Sequence, residues 1–168
     1  MDSCEECGFV YADLPVDEVA GRIGALGGRF RTAVVGASPA ALTERPEPAV
    51  WSVLEYCCHL RDVLLVQRER VVLAQVEDRP DFVRMYRDER VDLCDYGAHG
   101  LEEVLDQLDF SASLCALAFA RLGPPQWSRS LLYNWPQPVE RDLAWLGRHT
   151  AHEGEHHLLD VRRLLGRA

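Results

Sequence analysis

The sequence predicts an all-α protein, a four-helix bundle with long loops between helices two and three and between helices three and four. Three observations lead there. Four long stretches run between recognisable helix starts and stops, Pro-rich segments fill the gaps, and the last stretch carries a dense set of inward-facing polar residues. At 168 residues, with 48% hydrophobic and 27% charged side chains, the chain suits a single globular core. The organisation expected is a short extension over 1–14, marked by a C-x-x-C, and one helical metal-binding domain over 15–168.

The first helix is expected from about Pro15, a residue favoured at a helix start, to Val35 before Gly36. A connection containing Pro39, Pro46 and Pro48 leads to the second, about 52 to 77. Its start is explicit. Ser52 can cap the free N–H groups while Glu55 reaches back, a capping box, and Trp51 can staple onto Tyr56. Residues 78 to 100 read as a loop with a short helical turn near Val83 to Arg90. The third helix covers about 101 to 122 and stops at Gly123-Pro124-Pro125. An irregular stretch with Trp127, Tyr133 and Trp135 precedes the last helix, about Pro138 to Leu165. Those aromatics suit packing over the bundle end, a pocket mouth or a homodimer surface.

Four of the six histidines fall within nine residues of the last helix, at His149, His152, His156 and His157, together with Glu153 and Glu155. So many imidazoles and carboxylates on one helix point to a bound divalent metal. Helix geometry restricts the choice, because residues four apart share a face and sequence neighbours point roughly 100° apart. Leu146, Glu153, His157 and Leu164 share a narrow band, with Leu143 and Val161 close by, so Glu153 and His157 face the core. His152 and His156 lie in phase with Arg141, Arg148 and Arg163, on the polar side. A competing pattern is His152-Glu153-Gly154-Glu155-His156, an H-E-x-x-H in which the two histidines would hold zinc and Glu153 would act as base in a metallohydrolase. Only twelve residues follow His156, and beyond the adjacent His157, which points about 100° away, they hold no His or Glu to act as a third ligand. The inward pair finds its third ligand upstream. His59 sits two turns into the second helix, on the face of Tyr56, Val63 and Val66.

The stretch Trp51-Ser52-Val53-Leu54-Glu55-Tyr56-Cys57-Cys58-His59-Leu60, followed far downstream by His152-Glu153-Gly154-Glu155-His156-His157-Leu158, resembles the DinB/YfiT-like superfamily. The resemblance covers roughly residues 15 to 166. It implies a four-helix bundle whose metal is held by one histidine of the second helix and two ligands four apart on the last. Carried onto this chain, the set is His59, Glu153 and His157, and the first of the last-helix pair is Glu where many members have His. That set is similar to the bundle domain of mycothiol-dependent maleylpyruvate isomerases. The resemblance implies a divalent metal, zinc foremost, with nickel, iron or manganese as alternatives. It also implies a low-molecular-weight thiol of mycothiol or bacillithiol type, activated at that metal for transfer to an electrophile. A non-catalytic metal-binding or stress-response protein is the alternative from another class.

Cys4-Glu5-Glu6-Cys7-Gly8-Phe9 resembles the knuckle of a zinc ribbon or rubredoxin. Four such ligands make a structural zinc site, and Cys94 and His99, in the loop before the third helix, are the expected complement to Cys4 and Cys7. Cys57, Cys58 and Cys115 read as small core hydrophobes. The net charge of −9, with basic residues dispersed among acids, excludes a nucleic-acid surface. No apolar run approaches the ~20 residues of a membrane span and the first residues do not form a signal peptide, so a cytoplasmic protein is expected.

Overall fold

A computed structural model describes residues 3–167, and Met1, Asp2 and Ala168, at the outer ends of the two expected units, lie outside the described residues. Long helices dominate: α1 (Val16–Gly24), α2 (Leu26–Val34), α4 (Val53–Val76), α6 (Leu101–Ala120) and α8 (Leu143–Leu164). Short helices α3 (Pro39–Thr43), α5 (Arg87–Leu93) and α7 (Pro124–Trp127) lie in the connections. The rods α1/α2, α4, α6 and α8 form the bundle, with α6 packed on α4, α1 and α2, and α8 on α4, α1 and α2. Among the described residues no helix is long and apolar enough to cross a membrane.

Two expectations about the elements need correction. The first helix is not one rod: α1 ends at Gly24 and α2 begins at Leu26, each burying its own set, Val19 and Ile23 against Leu26, Phe30 and Val34. The stretch before α8 is not wholly irregular, and the helix does not begin at Pro138. Residues Ser130–Asn134 form β2 and Pro138–Asp142 form β3, an antiparallel pair in which Leu132 faces Glu140; β1 (Asp81–Phe82) runs parallel to β2 on its other side. Asp142 ends β3 and caps α8, its Oδ1 accepting from Trp145 N at 2.7 Å.

The capping box of α4 is complete. Glu55 N donates to Ser52 Oγ at 3.2 Å and Ser52 N to Glu55 Oε2 at 2.7 Å. Arg45 then clamps the Glu55 carboxylate through Nε and Nη2, at 2.8 and 2.6 Å. Burial opposes ionisation of Glu55, but Arg45 and the Ser52 hydrogen bonds outweigh it and hold the carboxyl below its ordinary range. Trp51 packs on Tyr56 with ring centroids 5.4 Å apart. The helix that carries His59 is thereby fixed at its start. Further along, Asp62 joins α4 to the loop after it. It accepts from Arg61 Nε at 2.9 Å, from Tyr96 Oη at 2.7 Å and from Arg90 Nη1 at 3.3 Å. This buried, multiply satisfied carboxylate holds residues 87–98 against the bundle.

Two adjacent glycines of α2 make opposite demands. A Cβ on Gly27 would lie 2.6 Å from the Asp109 Cα of α6, so backbone would have to move, whereas one on Gly28 meets nothing within 4 Å. Gly27→Ala is expected to destabilise by about 1–3 kcal/mol, the usual overpacking cost. Gly28→Ala is expected to stabilise by about 0.5–1 kcal/mol through the unfolded state and helix propensity. Denaturant midpoints of the two variants check this, and equal signs for the two would refute the α2–α6 contact.

Candidate metal centre

His59 projects from α4 onto α8. It is 2% exposed, and neither of its ring nitrogens has a hydrogen-bond partner in the protein. Around it stand Trp51, at 4.9 Å between ring centroids, and His157, at 5.0 Å and nearly perpendicular. One ligand atom each from His59, Glu153 and His157 lie within 4.8 Å of one another. Glu153 Oε2 is 3.7 Å from His157 Nε2. The other ring nitrogen of His157, Nδ1, meets Asp160 Oδ2 at 3.0 Å. A carboxylate on the far nitrogen orients an imidazole and fixes which nitrogen it presents, which is the usual outer support of a metal-binding histidine.

Electrostatics agree with this division of roles. Burial, with the neighbouring His157, pushes the His59 imidazole down to about 3, so it is neutral and its lone pair free. Burial also opposes charge on Glu153. The protonated His157 ring 3.7 Å away, with the neighbouring imidazoles of His149 and His59, reverses that and holds the carboxyl well below its ordinary range. For His157 desolvation is likewise outweighed, by Asp160 and Glu153, and the ring is pushed up to about 9. A buried neutral histidine with two orphaned nitrogens, beside an anionic carboxylate and an oriented second histidine, is a donor set that fits a divalent cation. The protein supplies three ligands.

A cavity of about 190 Å³ reaches two of the three, His59 and Glu153, and is walled also by Val63, Arg70, Phe82, Met85, Arg87, Tyr133 and His149, with His157 behind them. The strand pair missed in the sequence brings Tyr133 here, and the Asp62 network holds the segment carrying Arg87. His149 lies between two phenols: Tyr11 Oη is 2.8 Å from its Nδ1 and Tyr133 Oη 3.1 Å from its Nε2. Its ring is also 3.7 Å from Glu153 Oε1 and stacked on Trp145 at 4.6 Å. Burial lowers its pKa despite Glu153. Tyr133 is one of the aromatics the sequence offers for a pocket mouth, whereas Tyr11 carries no such signal. No local signal marks a tyrosine 138 residues from its histidine partner. Arg70 is 6% exposed and has no carboxylate partner among the described residues; it stacks over Tyr133 at 5.1 Å and bonds Gln67 and the Val83 carbonyl.

The other residues singled out by sequence fall elsewhere. His152 is buried rather than solvated, because residues 3–14 cover the polar side of α8. His152 and His156 lie with Cys4 and Cys7. Cys94 and His99 do not join those thiols; Cys94 is exposed and His99 half-buried, and His99 Nε2 contacts the Cys94 carbonyl at 3.2 Å. Cys57, Cys58 and Cys115 are fully buried, and burial pushes each thiol up to about 12.

The fold that carries these residues has relatives. The model of the DinB superfamily matches residues 24–161. The chain belongs to the DinB superfamily. Its fold is similar to that of YfiT from Bacillus subtilis, described as a probable metal-dependent hydrolase with an unusual four-helix bundle topology. The TM-score is 0.77 at 18% identity, covering 91% of this chain and 89% of that one. No curated protein sequence matches.

The pKa directions predict a proton balance. His59 is neutral above about 3 and Glu153 is ionised, while the metal-free His157 ring carries its proton up to about 9. A cation at this centre must displace that proton, so between pH 6 and 8 its affinity should rise about tenfold per pH unit with one proton released. Calorimetry in buffers of different ionisation enthalpy, on a Cys4→Ser, Cys7→Ser background, measures this. A pH-independent affinity would place the cation elsewhere.

Proposed function

We propose that this DinB-superfamily protein is a metal-dependent S-transferase, in which a small thiol of mycothiol or bacillithiol type attacks an anionic electrophile in the cavity over His59, Glu153 and His157. The observation that carries the reading is His59, buried with both ring nitrogens unpaired, facing Glu153 and the oriented His157 beneath an open cavity. A divalent ion at these three ligands, zinc foremost and nickel, iron or manganese as alternatives, supplies the charge that keeps a thiol deprotonated near neutral pH. Three protein ligands are the number that leaves a coordination position for the reactant. Thiol use also rests on the resemblance of the His–Glu–His set to the mycothiol-dependent branch, and it accords with a cytoplasmic location.

The chain's own residues supply the rest. Arg70, desolvated and without a carboxylate partner, presents a guanidinium suited to a carboxylate on the electrophile or thiol. Phe82, Val63 and Met85 give the cavity an apolar wall that excludes water from the thiol. His149, neutral and held by Tyr11 and Tyr133 at its two nitrogens, can take the thiol proton by relay: the Tyr133 hydroxyl, which lines the cavity, passes its own proton to Nε2 and receives the thiol's, while Nδ1 donates to Tyr11.

A hydrolytic reading has one observation in its favour, the similarity to YfiT, described as a probable metal-dependent hydrolase. Water would then take the thiol's place in the same cavity. The H-E-x-x-H form of hydrolysis is less well supported, because it needs Glu153 free beside an ion on His152 and His156. Here Glu153 lies against His149 and His157, and two thiols stand beside the histidine pair.

Cobalt separates these readings. In the full chain with Cys4→Ser and Cys7→Ser, cobalt at the centre should show a sulfur-to-metal charge-transfer band only after a small thiol is added. His59→Ala should abolish it. Consumption of an α,β-unsaturated carboxylate should then depend on both metal and thiol. If the cobalt spectrum ignores every thiol while an ester is hydrolysed without one, the hydrolase reading stands instead; if neither reaction occurs, a non-catalytic metal-binding role does. Arg70→Met is expected to raise KM for the anionic electrophile about tenfold or more, in keeping with loss of a charged hydrogen bond, and to leave a neutral analogue nearly unaffected.

A further inference from the structure

The N-terminal arm builds a second constellation on the other side of α8. Ser3 pairs with Val10 as an antiparallel bridge, Cys4 N donates to Phe9 O at 2.8 Å, and Gly8 N donates to Cys4 O at 2.9 Å. Gly8 adopts φ +71°, a conformation open to glycine, and the resulting tight turn turns both thiols toward α8. One ligand atom each from Cys4, Cys7, His152 and His156 lie within 4.8 Å of one another. In a tetrahedral zinc site with sulfur at ~2.3 Å and nitrogen at ~2.0–2.1 Å, ligand atoms stand roughly 3.3–3.8 Å apart. Cys4 Sγ and His156 Nδ1 are 3.6 Å apart, already at that spacing.

The histidines are supported from behind in the way metal ligands are. His152 is 8% exposed; its Nδ1 meets Tyr11 Oη at 3.2 Å, while its Nε2 is buried with no partner. His156 turns Nδ1 to Cys4, and its Nε2 meets Glu6 Oε2 at 3.3 Å and Asp160 Oδ2 at 3.8 Å. Each imidazole therefore has one nitrogen fixed by an outer oxygen and the other toward the thiols. A disulfide between Cys4 and Cys7 would leave the His152 Nε2 orphaned, at a cost of about 1–3 kcal/mol; a shared cation satisfies all four groups.

We infer that Cys4, Cys7, His152 and His156 form a second, closed Cys2His2 site for zinc, separate from the His59 centre. Four protein ligands leave no position for a reactant, so the site is structural. It fastens residues 3–14 to α8 and so sets Tyr11 against His149 at the wall of the reactive cavity. This assignment stands whether or not the chain is an S-transferase, since it concerns different ligands.

Elemental analysis of the full chain should give two metals. Cys4→Ser with Cys7→Ser should leave one, His59→Ala should leave the other one, and Cys94→Ala should leave both. With cobalt, the wild type and His59→Ala should show thiolate-to-metal charge transfer with no thiol added, and His156→Ala should weaken or remove it. If Cys4→Ser with Cys7→Ser retains the wild-type metal content, or if the His59→Ala chain binds cobalt without that band, the site does not exist. Should the double cysteine variant fail to fold, the His59→Ala spectrum decides alone: the band supports the site and its absence overturns it.

Discussion

Leaving a buried imidazole unpaired costs about 1–3 kcal/mol, and α4 carries one, His59, with both nitrogens in that state. Much of the surrounding structure makes sense as support for that placement. The capping box and Arg45 fix the first turn of α4, Trp51 packs on the ring, and α8 approaches with a carboxylate and a second histidine. A Leu in place of His59 would suit the packing and remove the orphaned atoms. Beside an anionic carboxylate and a second oriented histidine, the polar ring is better understood as held ready for a cation.

The other constraint is the pitch of α8. Neighbours on a helix point roughly 100° apart, so the pairs 152/156 and 153/157 cannot serve one ion. The chain places a different partner on each side: α4 with His59 on one, the arm with Cys4 and Cys7 on the other. Gly154 between them has its own reason. A Cβ there would come within 2.5 Å of the Leu26 methyl groups, so the residue flanked by the two sites lets α2 close against α8. What reads as one H-E-x-x-H is two interleaved i, i+4 pairs.

The capping box, the helical phase that turns Glu153 and His157 inward, and the position of His59 could all be read from sequence, because each rests on local periodicity or on three to four neighbouring residues. The arm could not. Its contacts with α8 span 134 to 157 residues, and the three-residue spacing of its cysteines carries no information about which helix they meet. Phase also misled at His152. Arg141, Arg148 and Arg163 mark a polar face, but a polar face can be covered by another polar segment, and residues 3–14 do so. The small sheet escaped for a different reason: a two-residue strand and two five-residue strands offer too few alternations for a period to emerge beside Pro136 and Pro138.

Glu153, where many superfamily members are expected to have histidine, changes the charge of the proposed centre. A divalent ion with one carboxylate and two neutral imidazoles carries one net positive charge, and a bound thiolate brings it to neutrality. Such a site can stay dry, since no uncompensated charge remains in it. Three histidines would leave the same complex positive and better suited to keeping solvent or a second anion. Positive charge lies instead on the cavity wall, at Arg70 and Arg87, where under the proposed chemistry it would hold the electrophile's own charge away from the thiolate. Under the proposed thiol chemistry, that single carboxylate would divide the work: the ion for the nucleophile, the arginines for its partner.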